Sequence, residues 1–371
     1  MNLLLGLMDR LRPTFRHGSL KAIRPAFDAI DAFLFYVDHR TDKAPHVRDP
    51  NNIKRYMSAV IVALMPIIAA AIYFFGWRLV GTIAVTYVTG LLIELGFAIA
   101  RKEEINEGFF VTGLLYPLIL PPGLPFWMTA VGIAFGVIVG KELFGGTGRN
   151  VLNPALVARC FLLIGHAPYM STGWSAPASG WPGGFGTWSV DAVSSATPLG
   201  AAKSGLYADW GNLLFGTASG NGVSGGSSGE VCSVLIILGG LFLLLTGVIN
   251  WRTIVSLLGS FAIMVGVAAW ASPAAFGRPG WTPAEMVAWQ LLAGGLLFGA
   301  VFMATDPVTS PVSNLGKWIY GITIGVSTFL IRYLAGYVEG VMFAILLGNI
   351  AAPLYDEIAT WLHLRRLQHE G

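Results

Sequence analysis

The chain has 371 residues and a net charge of +3; hydrophobic residues make up 54% of it and charged residues only 12%. Soluble domains are typically about a quarter charged, so there is too little polar surface here to coat a water-exposed globule, and the small net charge argues against nucleic acid. The two cysteines, Cys160 and Cys232, lie inside or beside apolar blocks without C-x-x-C spacing, which leaves no case for zinc or an iron–sulfur cluster held by this chain alone.

Residues 1–55 form a mixed, basic segment. Its first apolar run, Leu3 to Met8, is too short for a cleavable signal and is followed by Asp9, Arg10 and Arg12. Phe27, Ile30, Phe33, Leu34 and Val37 recur at helical spacing with Asp28, Asp31 and Asp38 between them. That pattern suits a helix lying on the membrane, on a partner, or on this protein's own cytoplasmic face. Ten apolar segments follow, at 57–76, 79–100, 108–121, 124–140 and 150–166, then 232–249, 253–271, 283–304, 318–335 and 338–362. Most are of membrane-spanning length, and their frequent Gly and Pro are tolerated where neighbouring helices re-satisfy the backbone. The expected fold is an all-α polytopic membrane protein with about ten transmembrane helices. Two five-helix halves, 56–166 and 231–362, flank a loop at 167–230, and a short tail covers 363–371.

Orientation follows from Lys and Arg placement. With the N-terminus inside, the cytoplasmic segments collect Arg10 through Arg55, Arg101, Lys102, Lys141, Arg149, Arg252, Lys317, Arg365 and Arg366. The other side receives only Arg78, Lys203, Arg278 and Arg332, while Arg159 lies within a span. Both termini are therefore expected inside and the 167–230 loop outside. An internal repeat supports the division into halves: Gly132 to Val137 (GIAFGV) matches Gly321 to Val326 (GITIGV) at an offset of 189, where Pro122 also falls on Pro311. Asn153-Pro154-Ala155-Leu156 is echoed by the stretch from Asn349 to Leu354. Five spans being an odd number, the halves are expected to be inverted, with binding elements near the midplane between them.

The outer loop is rich in Gly, Ser, Trp and Pro and contains Asp191-Ala192-Val193-Ser194-Ser195-Ala196-Thr197-Pro198-Leu199. Alone, this reads as a turn in which Pro198 keeps Thr197 out of the helical region. It also resembles the Asp-x-x-(Ser/Thr)-(Gly/Ser)-Ala-Thr signature of flavin transferases, which join the FMN phosphate to the threonine hydroxyl as a phosphoester. Asp191, Ser194, Ser195 and Ala196 supply the signature and Thr197 the acceptor. Small residues before the acceptor let an enzyme close on the backbone.

His46-Val47-Arg48-Asp49, the run from Asn106 to Thr112 (NEGFFVT), the run from Lys141 to Asn150 (KELFGGTGRN) and the run from Phe302 to Val308 (FMATDPV) resemble one family, the B subunit of the Na+-translocating NADH:quinone oxidoreductase. The likeness covers residues 20–360. The D subunit of the Rnf ferredoxin:NAD+ oxidoreductase is a sibling sharing the acceptor motif and the Thr-Asp-Pro-Val segment. The short turn at Gly76 to Arg78 and Ser-Ser-Ala-Thr-Pro-Leu lean towards that sibling, whereas the basic N-terminal extension and Asn-Glu-Gly-Phe-Phe lean towards the quinone reductase.

The resemblance implies a six-subunit complex of the bacterial inner membrane that passes electrons from NADH through flavins to ubiquinone while exporting Na+. It also implies covalent FMN at Thr197, installed by a flavin transferase, and a non-covalent riboflavin with no motif of its own. It matches Gly90 and Glu94 to quinone and inhibitor contacts. An ionisable group within a span is a functional candidate in its own right; Glu94, Asp306 and Asp356 are candidates for Na+ passage, against the plainer reading of paired or capping carboxylates. His46 and His166 read as interfacial or capping residues. A flavin-free channel or transporter is the competing class.

Overall fold

In the computed structural model, residues 53–102, 108–178, 180–189, 196–216, 223, 226–273, 278, 280–335 and 337–370 are described. The amphipathic stretch around Phe33, His46 and the Asp191 to Ser195 part of the acceptor motif lie outside them. The described residues are all-helical, apart from one isolated bridge between Ala196 and Val223.

All ten apolar segments fall on helices. The first five correspond to α1 (Ile53–Phe75), α2 (Arg78–Arg101), α3 (Gly108–Leu118), α4 (Phe126–Gly140) and α5 (Pro154–Gly165). Between the halves lie three short helices, α6 (Ala167–Thr172), α7 (Pro198–Lys203) and α8 (Trp210–Phe215). The second set is α9 (Ser233–Leu245), α10 (Trp251–Ala271), α11 (Pro283–Leu292) running into α12 (Leu296–Phe298, continued as a π-helix over Gly299–Met303), α13 (Asn314–Leu334) and α14 (Val341–Glu370). Among the described residues, five helices are long and apolar enough to cross a membrane, or six when the bent α11–α12 pair is taken as one span; α3, α5 and α9 are shorter apolar helices. Large apolar side chains such as Leu92, Ile164, Leu245, Ile263 and Trp270 point outward, as lipid-facing residues do.

Helix boundaries follow from capping. Asn153 accepts from the Ala155 and Leu156 amides (3.0 and 3.4 Å) with Pro154 at the first helical position, fixing the start of α5. Thr282 and Glu285 form a reciprocal capping box on α11. The eighth apolar segment, expected as one continuous span, bends by 67° between α11 and α12. The reason is Gly294, whose φ of +72° is left-handed, and where a Cβ would lie 2.4 Å from Leu199. Arg332 satisfies the carbonyls this break frees, donating to Gln290 O (2.9 Å), Gln290 Oε1 (3.2 Å) and Ala293 O (3.2 Å). The chain also breaks after α3, at Pro121-Pro122, and there the Gly229 amide donates to Leu118 O (2.7 Å). A further departure is α14, which continues as helix through the segment expected to be a separate tail.

The helices pack in matching order in the two sets. α2 packs on α3 and α4, and α4 on α5; α10 packs likewise on α11 and α13, and α13 on α14. Across the seam, α1 meets α9 and α5 meets α14. The sequence-matched glycines nevertheless serve different neighbours. Gly132 and Gly136 admit α3 and α5, whereas Gly321 and Gly325 admit α10 through Ser256, Ser260 and Leu257. The two Asn-containing clusters meet at the seam: the Asn349 amide oxygen accepts from the Asn153 N–H (3.2 Å) and its NH2 donates to the Tyr320 hydroxyl (2.7 Å). An ion pair between Arg159 of α5 and Glu339, just before α14, ties the same seam near the other end.

Candidate functional site

Thr197 is the N-cap of α7, with extended backbone (φ −64°, ψ 155°), and Pro198 at the first helical position holds it there. Its Oγ1 accepts from the Gly200 amide at 3.2 Å, and its O–H donates to none of the described residues. That geometry fits a phosphoester. Esterification removes a proton that none of the described residues accepts and leaves the oxygen able to accept from Gly200. Ala196 is exposed, but Thr197 itself is only 9% exposed, so a transferase must loosen the segment or act before it packs.

The acceptor sits on a rigid platform. Leu199 fills the notch at Gly294 and clusters with Ala201, Leu213 and Trp289. Trp289 donates to Ala208 O (3.1 Å), Tyr207 packs edge-on to it with ring centroids 5.1 Å apart, and Trp210 stacks on Trp281 at 5.8 Å. Arg278 lies over Trp281 and Tyr207, 4.4 and 4.8 Å from the ring centroids. The helix after the acceptor is thus locked to the broken span.

At the opposite end, Gly90 and Glu94 share one face of α2. The ring of buried Phe109 fills the space at Gly90, where a Cβ would come within 1.9 Å of it. Glu94 forms a buried ion pair with Lys141, and the Lys141 ammonium lies 6.0 Å from the Phe109 ring centroid. Lys141 was legible in sequence only as a topology-setting charge; its partner is 47 residues away. It also lines a recess, partly open to solvent, between the two sets of helices. Tyr56, Thr112, Asn150, Asn153, Thr305 and Asp306 supply its polar wall and Val60, Leu115 and Phe302 its apolar one.

Asp306 faces this recess and accepts from the Val308 amide (3.3 Å) and the Thr309 hydroxyl (3.0 Å). Asp356 anchors the residues just before α13, accepting from the Val312 amide (2.9 Å), the Ser313 amide (2.8 Å) and the Ser313 hydroxyl (2.5 Å), while Ser313 itself caps the helix through the Gly316 amide. The fold does not gather Glu94, Asp306 and Asp356 into one cluster; among the described residues no three His, Cys, Asp or Glu side chains could hold a metal ion together. His166 lies at the α5–α6 junction against Trp127 and Phe161, an edge position as expected.

Long apolar helices, a break at the seam between two similarly packed sets, and a loop threonine fixed on that break define a polytopic membrane subunit rather than a soluble enzyme. The chain belongs to the NQR2, RnfD, RnfE family, which matches residues 40–361. It is 35% identical to the B subunit of the Na(+)-translocating NADH-quinone reductase of Azotobacter vinelandii, over 97% of each chain. It is similarly related to the proteins of that name from Pseudomonas paraeruginosa (35% identity, 99% of this chain and all of the relative) and Klebsiella pneumoniae (34%, 98% and 99%).

Proposed function

We propose that this chain is a membrane subunit of a Na+-translocating NADH:ubiquinone reductase, carrying FMN as a phosphoester on Thr197 and passing electrons towards quinone. The carrying observation is the Thr197 hydroxyl, which accepts from Gly200 and donates to none of the described residues, in a chain whose full-length relatives bear that enzyme's name. Bound flavin supplies the redox chemistry; the protein spaces it and tunes its surroundings. Here α7 fixes the attachment point on α11.

The recess between the sets is the place for a second, non-covalent riboflavin. Asn150, Asn153 and Lys141 offer donors, Asp306, Thr112 and Thr305 acceptors, and the apolar wall suits a flat ring. Ubiquinone approaches through the Gly90 and Glu94 face, and Na+ passes by way of Glu94, Asp306 and Asp356. The partners are the other subunits of a six-subunit complex, a flavin transferase and membrane lipid. The location is the bacterial inner membrane, with both termini cytoplasmic, on the strength of the Lys and Arg asymmetry.

On a denaturing gel the wild-type subunit, expressed with an active transferase, is expected to fluoresce under ultraviolet light and Thr197→Ala to be dark. A dark wild-type band sinks the flavin reading and favours a flavin-free channel or transporter. The family also contains RnfD, so membranes are assayed for NADH-driven ubiquinone reduction stimulated by Na+; ferredoxin in place of quinone assigns the chain to the Rnf side.

A further inference from the structure

Glu230, outside every element considered so far, ends the loop just before α9. It is buried, and beyond the Ser227 hydroxyl and amide that face it neither carboxylate oxygen has a hydrogen-bond partner among the described residues. An unsatisfied buried charge is costly, so this arrangement calls for a ligand. Those two Ser227 groups favour the ionised form of the carboxylate. Two glycines line the carboxylate: a Cβ on Gly295 would lie 2.6 Å from Oε1, and one on Gly226 3.1 Å from Oε2. Gly295 belongs to the α11–α12 break whose other glycine, Gly294, receives Leu199 two residues after Thr197.

We infer that Glu230 is a hard monovalent-cation site at the acceptor end of the seam, where Na+ and a proton compete for the same two carboxylate oxygens, with Ser227 Oγ as an added oxygen ligand. Oxygen donors suit such an ion. Burial, then repulsion from Glu339, lifts the Glu230 carboxyl to about 7, with Arg159 opposing. Arg332 of α13 is the remaining charged group whose field reaches it; its two terminal nitrogens donate to Gln290 and Ala293, and its buried Nε has no partner among the described residues. The Arg159–Glu339 pair is internally balanced, so one exchangeable cation changes the local charge by one unit beside the helix break.

The inference rests on the Na+-pump reading for its physiological ion, and its test is built to fail separately. The intact complex is purified with wild-type, Glu230→Gln and Glu230→Asp subunits, and the fluorescent flavin band confirms folding and modification in each. Na+-dependent quinone reduction is measured from pH 6 to pH 8, and thermal stabilisation by NaCl is compared with KCl at equal ionic strength. Competition at a group titrating near 7 predicts that the wild-type apparent Na+ affinity falls about ten-fold between pH 8 and pH 6. E230Q is expected to bind Na+ more weakly at pH 8, to lose the pH dependence and to lose the NaCl-specific stabilisation, with E230D restoring part of each. Unchanged Na+ affinity at pH 8 in E230Q overturns the site, whether or not the pH profile moves. A wild type with no kinetic response to Na+ refutes the pump reading instead. NaCl-specific stabilisation that E230Q abolishes would still uphold the site, and its persistence would overturn it.

Discussion

Replacing Lys141 by Met tests the buried pair that joins α2 to the turn after α4. The Lys141 ammonium and the Glu94 carboxylate are both almost fully buried and in direct contact, and the Phe109 ring lies beside the ammonium. Met keeps most of the side-chain volume but strands the carboxylate. Losing one partner of a buried ion pair costs about 3–5 kcal/mol, chiefly because the survivor remains as an uncompensated charge. The cation–π contact adds roughly 0.5–2 kcal/mol where it is desolvated. The double variant Glu94→Gln/Lys141→Met has no stranded charge and should recover much of that loss, since apolar or neutral replacements of a buried pair are often close to neutral. The assay is a double-mutant cycle on thermal unfolding of the detergent-purified complex, with covalent flavin fluorescence as the unfolding signal. K141M is expected to unfold well below wild type and the double variant to lie between them. Additive losses, or a K141M as stable as wild type, would refute the buried pair. If Glu94 contacts quinone, the double variant should also regain stability without regaining quinone affinity.

Gly90→Ala should lower stability by about 1–3 kcal/mol through overpacking against Phe109, and because Phe109 shields Lys141, quinone kinetics should shift more than those of Leu92→Ala on the exposed face. Gly294→Ala combines a left-handed φ of +72° with a 2.4 Å clash onto Leu199; the yield of fluorescent subunit is expected to fall although Thr197 is intact, and an undiminished yield would mean α7 does not depend on the break. Arg332→Met removes three hydrogen bonds from the α11 terminus, each leaving a buried acceptor at about 1–3 kcal/mol, so hydrogen exchange over 286–298 should accelerate. Asp356→Ala removes the hydrogen bonds that anchor Val312 and Ser313 ahead of α13 at about 1 kcal/mol or more; if Asp356 also conducts Na+, the loss in Na+ affinity should exceed that of Ser313→Ala, which removes the helix cap.

The parts of the fold that were legible in sequence are those set by local chemistry. Apolar blocks of spanning length announced the helices, whereas the starts that Asn153-Pro154 and Thr282-Pro283 set emerge only from the capping hydrogen bonds. The bend in the eighth segment was visible as Gly294-Gly295, but glycine is common inside membrane helices, and only the contact with Leu199 and the Arg332 bonds show that this pair breaks the span. The repeat was legible as matched motifs, yet the matched glycines face different partners, because a six-residue likeness records a shared small surface and not what lies against it. Thr197 was singled out by a linear motif, and the structure adds its place at the start of α7. The pairing of Glu94 with Lys141 and the isolation of Glu230 were not legible, since each depends on residues brought together from separate helices. In sequence, Glu230 is one acid after a Ser/Gly-rich stretch, and nothing local marks its oxygens as short of partners.

The carboxylates sort by what their oxygens already hold. A carboxylate offers about four acceptor positions. Asp356 spends three on the start of α13, Asp306 two on its own turn, and Glu94 is committed to an ammonium. Glu230 alone among these four holds nothing beyond the Ser227 groups that face it. Position sharpens the contrast. α13 has 21 residues and is about 30 Å long, with Asp356 bound at its first turn and Arg332 near its last. A unit charge arriving at Thr197 would act on Asp356 across roughly that length, giving about 0.5 kcal/mol at an effective dielectric of 20, less than one thermal energy unit. Direct electrostatic coupling from the acceptor is therefore too weak to move an ion at Asp356. Glu230 is separated from Thr197 only by the contact of Leu199 with Gly294 and that of Gly295 with its own carboxylate. Charge at the acceptor can bias a cation there directly, whereas Asp356 must be reached by motion of the helices or through a neighbouring subunit.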